Sequence, residues 1–196
     1  MKEIARGAEA VLYENGESIV KIRPRKTYRI LEIDQELRKR RTKKEASLLE
    51  KLKSEGIRAP TLIETDNSER IEMQNLGGKQ VKLVLDKQPE LAKQIGQELA
   101  KFHEADIIHS DLTTSNMILK DKEVYFIDFG LSFHSARIED KAVDIHLFLQ
   151  ALESRHHKVK EVAYNHFLEG YKEYREFKNV LERLIAVEKR GRYRGK

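Results

Sequence analysis

Two neighbouring stretches, residues 107–116 and 126–130, constrain the fold of this 196-residue chain more than any other feature. An apolar helical pattern precedes the first stretch, and the strand-like runs 117–119 and 124–127 connect it to the second. The sequence therefore predicts a helix, a polar loop and a β-hairpin in that order, with Asp-Phe-Gly where the hairpin ends.

The polar positions of these stretches have the spacing of a phosphoryl-transfer site. Asp111 precedes Asn116 by five residues, and Asp128 begins the Asp-Phe-Gly. In this layout Asp111 orients or deprotonates the attacking hydroxyl or water, Asn116 and Asp128 hold Mg²⁺, and His109 braces the loop. Each short motif alone is more often structural than catalytic, so the prediction rests on their order and spacing.

A lysine and a glutamate earlier in the chain supply further parts in the expected order. Lys21 lies on a predicted strand, and Glu45 lies on the apolar stripe of the next predicted helix. A carboxylate on an inward face is costly without a cation, so Lys21 is its expected partner at the ATP phosphates. Alternatively, Glu45 lies at the edge of the stripe, in water.

Other candidate positions carry weaker signals. The loop containing Gly7, Ala8 and Glu9 lies between the first two strands and would cover the phosphates, although a single Gly before a strand is also typical of an ordinary turn. Asp144, predicted near a helix start, would hold the catalytic loop by accepting backbone N–H bonds, or would simply cap its helix.

The pattern along the chain changes from strand-rich to helical after about ninety residues. Strands are expected at 10–13, 18–22, 61–65, 70–73, 117–119 and 124–127, and helices at 33–54, from 89 to 102, 142–152, 162–174 and 180–187. The fold class predicted is α+β, a minimal bilobal protein-kinase-like fold with a small β-rich N-lobe and a helical C-lobe.

The domain prediction is a single kinase-like domain in four parts. They are an N-lobe at 1–75, a hinge at 76–78, a C-lobe at 79–188 and a basic tail at 189–196. Asn75 and Leu76 precede two adjacent glycines, which suit a hinge or an ordinary tight turn, and both residues are candidates for nucleotide binding.

The amino-acid composition excludes chemistry that depends on cysteine. Cysteine is absent, so the chain has no disulfide, thiolate ligand or thiol nucleophile. We expect a cytoplasmic protein, because Met1 leads into mixed sequence and no apolar run approaches the about 20 residues that span a bilayer.

The net charge of +5 favours a polyanionic partner or a nucleotide. The excess is concentrated at 38–44 and 189–196, where a solvated helix face and a frayed tail are the alternatives to a binding role.

Several of these segments resemble the kinase-like ATPase subunit of the KEOPS complex, a relative of the RIO-type kinases. The resemblance covers essentially the whole chain and rests on residues 6–10, 41–46, 109–116, 139–144 and 190–192. The run Thr113-Thr114-Ser115-Asn116 is its most diagnostic part. Ser110 departs from the pattern, because the family usually has Gly there, and the change leaves the neighbouring carboxylate in place.

The resemblance implies an Mg-ATP-dependent enzyme that supports the placement of threonylcarbamoyl on tRNA adenosine next to the anticodon. Members autophosphorylate on Ser or Thr in isolation and behave mainly as ATPases in the complex. The implied partners are the metal-dependent transferase subunit, expected to contact the lobe carrying Asp111, a small regulatory subunit, and tRNA. The basic tail would meet tRNA phosphates through Arg190, Arg192, Arg194 and Lys196.

The segment after Asp-Phe-Gly favours a weak protein kinase. Only thirteen residues separate Gly130 from Asp144, and no Ala-Pro-Glu follows, so the activation segment that presents a peptide is missing. Water or hydroxyls such as those of Ser132 and Ser135 become the reachable acceptors.

Two other functions remain open. A small-molecule phosphotransferase of the aminoglycoside or choline kinase type shares the loop but needs a large helical insert. A pseudokinase scaffold would bind tRNA or the transferase without turnover, since the presence of ligands does not prove hydrolysis.

Overall fold

The computed structural model describes residues 1–192, with nothing assigned to the side chains of residues 191 and 192. The chain divides after Gly77 into two compact units, the first running from Met1 to Gly77 and the second beginning at Gly78. Each unit has its own core.

The first unit is an antiparallel sheet with one long helix. Its elements are β1 (Lys2–Arg6), β2 (Val11–Asn15), β3 (Ser18–Ile22), α1 (Leu31–Ser54), β4 (Leu62–Thr65) and β5 (Arg70–Gln74). The strand order is β1-β2-β3-β5-β4, and β3 and β5 pair with Lys21 opposite Ile71. Buried Val20, Ile71, Leu49 and Leu52 form the core of this unit.

The second unit contains short strands and most of the helices. Its elements are β6 (Lys79–Gln80), α2 (Leu91–Glu104), β7 (Ile107–Ile108), β8 (Met117–Lys120), β9 (Glu123–Phe126), β10 (Phe133–His134), α3 (Ile138–Arg155), α4 (Lys160–Tyr171) and α5 (Phe177–Arg192), with 3-10 turns at Val81–Leu83 and Thr114–Asn116. The strands form the small antiparallel sheets β6-β8-β9 and β10-β7.

Close packing of α2 on α4 requires glycine on both helices. A Cβ atom at Gly96 would collide with the carbonyl oxygen of Phe167, and one at Gly170 would collide with that of Lys93. This contact fixes α2, whose C-terminal end leads directly into the predicted catalytic loop.

The predicted helices are present, with different ends. The α3 helix begins at Ile138 rather than 142, because its first turn, with Glu139 and Asp140, is acidic and has no apolar stripe to reveal it. The α5 helix runs to Arg192 rather than 187. Residues 189–192, assigned to a separate tail, therefore continue a helix, in agreement with the good helix propensity of Lys and Arg.

Candidate functional site

The backbone of the predicted catalytic loop is held by a carboxylate from α3. The N–H groups of His109 and Ser110 each donate to Asp144, at 2.7 Å to Oδ2 and 2.7 Å to Oδ1. Asp144 is fully buried and lies well inside α3, so it does not cap that helix. Two charge-assisted bonds from one buried carboxylate fix the start of the loop.

The candidate base and a candidate metal ligand contact each other. The Asn116 amide nitrogen donates to Asp111 at 3.0 Å to the backbone oxygen and 2.8 Å to Oδ2. The amide oxygen, a hard ligand that suits Mg²⁺, is the end of the side chain outside these bonds. This arrangement restrains the Asp111 carboxylate in one orientation.

The β8–β9 hairpin brings Asp128 close to the same loop. The N–H of Ile127 donates to the carbonyl oxygen of Asn116 at 2.9 Å, and Asp128 follows with an exposed side chain. Asp128 has a φ of 63°, in the left-handed region that non-glycine residues adopt at a cost. Such conformations concentrate at functional sites, where the surrounding structure enforces them.

The residues present fit a Mg²⁺ ion that ATP would help to hold. Within residues 1–192, no group of three or more His, Asp or Glu side chains could hold a metal by itself. Mg²⁺ bound with a nucleotide typically takes one or two carboxylates and completes its shell with phosphates and water. An Asp128 carboxylate and an Asn116 amide oxygen match that donor set.

Apolar rings surround His109, which is fully buried. Its ring lies 5.4 Å from that of Phe129, 5.8 Å from that of Phe126 and 6.1 Å from that of Phe102. Its Nδ1 accepts the Asp111 N–H at 3.3 Å. Burial lowers the pKa of His109, so the neutral ring is favoured among these apolar neighbours.

A second buried histidine, His103, lies next to Asp144. His103 Nδ1 lies 2.6 Å from the Tyr171 hydroxyl, and Nε2 lies 3.5 Å from Asp144 Oδ2. Burial lowers the pKa of His103, outweighing the opposite effect of Asp144. A neutral His103 that accepts from Tyr171 on Nδ1 is left with an N–H on Nε2, facing the carboxylate.

The buried Lys141 side chain bonds to two neighbouring residues. Its Nζ donates to Asp106 at 2.6 Å and to the Tyr174 hydroxyl at 2.8 Å. Burial by itself would lower the pKa of Lys141, but the bonds to Asp106 and Tyr174 raise it. The charged amine therefore ties α3 to the residues just before β7.

In the first unit, Lys21 and Glu45 lie in contact, as expected from the sequence. Lys21 Nζ donates to Glu45 Oε1 at 2.7 Å, with both side chains buried. The other carboxylate oxygen, Oε2, accepts from Arg23, whose guanidinium also donates to Thr42 at 3.2 Å. Glu45 is thus on the buried face of α1, where it forms ion pairs with two cations.

The loop predicted to cover the phosphates is a tight turn. The Gly7 N–H donates to the Ala10 carbonyl at 2.9 Å, and a Cβ at Gly7 would meet nothing closer than 3.6 Å. The Glu9 carboxylate is bound by Arg29 at 2.8 Å and Arg41 at 2.6 Å. The ion pair with Arg41 connects the loop to α1, and the one with Arg29 connects it to the segment just before that helix.

The segment at the end of the first unit is also ordered by local bonds. The Asn75 N–H donates to Glu17 at 2.8 Å, and the Asn75 side chain accepts from the Gly77 N–H at 3.1 Å. Leu76 is buried. Gly77 and Gly78 have φ values of 62° and 80°, and a Cβ at Gly78 would collide with Leu119.

The short segment after Asp-Phe-Gly is bonded to the loop rather than free. Ser132 is fully buried and its hydroxyl donates to the His109 carbonyl at 2.9 Å, so the suggestion that Ser132 is an accessible acceptor is wrong for this conformation. Ser135 is half-buried and donates to Asp140 at 2.6 Å.

Of the four tail residues predicted to meet tRNA, only Arg190 has a described side chain. It forms an ion pair with Glu139 of α3, which Arg183 also contacts at 3.3 Å. The side chain of Arg192, and Arg194 and Lys196 altogether, lie outside the described residues.

Sequence reasoning missed Arg23, His103 and Lys141. Arg23 could have been found, because residues two apart on a strand share a face and Lys21 was already assigned inward. The other two depend on contacts with Tyr171 and Tyr174, far along the chain, for which the local sequence carries no signal. In the described part of the chain, none of the helices has the length and apolar composition needed to cross a bilayer.

Comparisons with known proteins show the family of the chain. The sequence model of the RIO domain family matches residues 13–144 of this chain. The chain is 42% identical to the KEOPS complex subunit Bud32 of Pyrococcus abyssi, over 99% of this chain and 97% of that protein. It is 37% identical to a probable serine/threonine-protein kinase BUD32 homolog of Archaeoglobus fulgidus, over 95% and 92%.

Other relatives are longer proteins. The chain is 42% identical, over 97% of its length, to a probable bifunctional tRNA threonylcarbamoyladenosine biosynthesis protein of Methanocaldococcus jannaschii, and it spans 36% of that protein. A solved structure of WaaP in complex with acyl carrier protein matches all of this chain and 90% of its own, with a TM-score of 0.67 and 14% identity.

The architecture is a kinase-like fold, with a small β-rich N-terminal unit and a helical C-terminal unit, as the sequence predicted. The resemblance drawn from residues 6–10, 41–46 and 109–116 is likewise confirmed. The chain belongs to the RIO-domain family and, within it, to the relatives of the KEOPS complex subunit Bud32.

Proposed function

We propose that this protein binds Mg-ATP and acts as an atypical serine/threonine kinase that works mainly as an ATPase within a KEOPS complex. The observation that carries the proposal is the hydrogen bond from the Asn116 amide to Asp111, on a loop whose backbone N–H groups donate to Asp144. A restrained carboxylate next to an amide ligand is what phosphoryl transfer requires, since positioning and charge neutralisation provide nearly all of the catalysis.

In this proposal Asp111 orients the acceptor hydroxyl or water and takes its proton. The Asn116 amide prevents the Asp111 carboxylate from rotating away, and Asp144 keeps the loop backbone from shifting. His109 is a positioning residue, because its neutral ring fills the space beside Phe129 and accepts the Asp111 N–H.

Asn116 and Asp128 are proposed to hold Mg²⁺, which when bound would neutralise charge on the phosphates. Lys21 is proposed to contact the α- and β-phosphates. Glu45 supports that role, because one of its carboxylate oxygens accepts from Lys21 at 2.7 Å while the other is held by Arg23, so the Lys21 ammonium is kept in place. Asn75, Leu76 and the loop of Gly7, Ala8 and Glu9 remain proposed nucleotide contacts.

The structure of the segment after Asp-Phe-Gly supports water over a peptide as the main acceptor. Phe133 and His134 pair with β7, the Ser135 N–H donates to Asp106 at 2.8 Å, and Ser132 is buried. This short bonded segment presents no platform for a peptide. Ser135 remains the more accessible candidate for autophosphorylation.

The proposed biological role is support of threonylcarbamoyl-adenosine formation on tRNA, with the transferase and small regulatory subunits as partners. The names of the relatives from Pyrococcus abyssi and Methanocaldococcus jannaschii support it. The proposed tRNA contacts of Arg190, Arg192, Arg194 and Lys196 would require Arg190 to exchange Glu139 for phosphate. The cytoplasm is the proposed location.

Thermal-shift and calorimetric titration with Mg-ATP test binding separately from turnover. We expect Mg-ATP to stabilise the wild-type chain, Lys21→Met to weaken binding, and Asp111→Asn to bind but release no ADP. Binding by the wild type without ADP release, even with tRNA and the transferase, would instead identify a scaffold. No binding at all would contradict the proposal.

A further inference from the structure

A row of basic side chains on α1 has no role in the site described above. Lys39, Arg40, Lys43 and Lys44 are all exposed, whereas Thr42 on the same helix is buried. The pairs Lys39–Lys43 and Arg40–Lys44 are each four residues apart, so the four side chains lie on neighbouring strips of one face. We call these four residues the α1 basic face.

The α1 basic face differs from other cations of the same helix in having no acidic partner. Arg38 binds Asp34 and Glu69, and Arg41 binds Glu9. Among residues 1–192, no ion pair with Asp or Glu is found for any of the four residues of the α1 basic face.

Like charges at this spacing oppose helix formation. Each i,i+4 pair of cations destabilises a helix slightly, and clustering concentrates positive charge at the surface. The helix keeps its place because its opposite side buries Glu45, Leu48, Leu49 and Leu52. The charges are therefore presented on a rigid support.

The chemistry of the face indicates a phosphate backbone as its ligand. The four charges lie along about 7.5 Å of helix axis, as a convex ridge that suits an extended polyanion better than a single small anion. Three of the four are lysines, which act as point charges on phosphates. No aromatic residue is interleaved in residues 38–44, so base stacking is not provided.

We propose that the α1 basic face binds the phosphate backbone of an RNA, without reading its sequence. This proposal extends the proposed function, because tRNA is the RNA on which that function depends. It adds a binding surface in the first unit, independent of the tail residues 189–196.

Salt-dependent binding of an unmodified tRNA transcript, followed by fluorescence anisotropy, tests the face directly. The variants are Lys39→Gln with Lys43→Gln, and as a matched control Lys51→Gln with Lys53→Gln, which removes two exposed lysines from the last turn of the same helix. Each lost phosphate contact reduces the slope of log K against log salt by about 0.7–0.9. The test pair should therefore lose about 1.4–1.8 from the slope, and the control pair should match the wild type.

This loss means that a fourfold rise in salt weakens wild-type binding about tenfold more than it weakens the test variant. An unchanged slope in the test variant, or an equal loss in both variants, would overturn the proposal; the first result would leave an acidic protein surface as the occupant. Mg-ATP stabilisation of the same variants is measured in parallel. Its absence in the wild type would count against the ATPase proposal, and the RNA slopes would still decide the role of the α1 basic face.

Discussion

Replacing Glu45 with glutamine should destabilise the first unit strongly, because Arg23 would lose its buried counter-charge and Lys21 would lose a charged hydrogen-bond acceptor. The carboxylate is 3% exposed and each of its oxygens accepts from a different cation. Removing one member of a buried ion pair costs about 3–5 kcal/mol, chiefly because the partner remains buried and uncompensated. For a chain of this size 1 kcal/mol shifts Tm by about 2–4 °C, so a fall of about 6–20 °C is expected.

The matched control is Glu50→Gln, an exposed position on the same helix. Surface substitutions of this kind stay within about 0.5 kcal/mol. The Tm of both variants would be measured by circular dichroism at low and high salt, because a buried cluster is screened much less than a surface pair. Equal Tm values for Glu45→Gln and Glu50→Gln, or a difference that disappears in high salt, would refute the argument.

Three further predictions concern the catalytic loop. Asp144→Ala should speed hydrogen exchange of the His109 and Ser110 amides by at least about tenfold, since each loses a charge-assisted bond; unchanged exchange by mass spectrometry would contradict the role of this carboxylate. Ser110→Gly should stabilise the protein by about 1 kcal/mol, because Ser110 has a φ of 67°, and a lower denaturation midpoint would argue against strain there. Burial lowers the pKa of both His103 and His109, so as the pH falls below about 6.5 these histidines bind protons in the unfolded chain before they do so in the folded one. The free energy of unfolding, measured by denaturant titration, should therefore drop by up to about 1.4 kcal/mol per pH unit per histidine. A free energy of unfolding that stays constant as the pH falls below about 6.5 would contradict this prediction.

The candidate catalytic loop shows how sequence spacing predicts contacts over short separations. Asp111 and Asn116 are five residues apart, and the Asn116 amide bonds to Asp111 in the structure. Spacing of this kind encodes local geometry, because a short polar loop between a helix and a hairpin has few conformations. The helix and strand assignments succeeded where apolar periodicity was strong, as in α2 and β3.

Several features that the sequence did not predict depend on contacts between residues far apart in the chain. His103 meets Tyr171 and Asp144 only after α2 packs on α4, and a two-residue strand such as β10 is too short to leave a pattern. The start of α3 and the end of α5 were missed because their charged turns show no apolar periodicity, although Glu, Lys and Arg favour helix well.

Steady-state ADP release with Mg-ATP, in the presence and absence of tRNA, measures whether Asp128 is needed for ATP turnover. The variant Asp128→Asn removes the carboxylate charge, and Asn tolerates the left-handed backbone at this position, where φ is 63°. Asp121→Asn is the matched control, because Asp121 has a φ of 49° and lies in an exposed turn. We expect Asp128→Asn to lower turnover by about a hundredfold or more and Asp121→Asn to match the wild type. Equal turnover in all three proteins would contradict a role of Asp128 in Mg-ATP turnover.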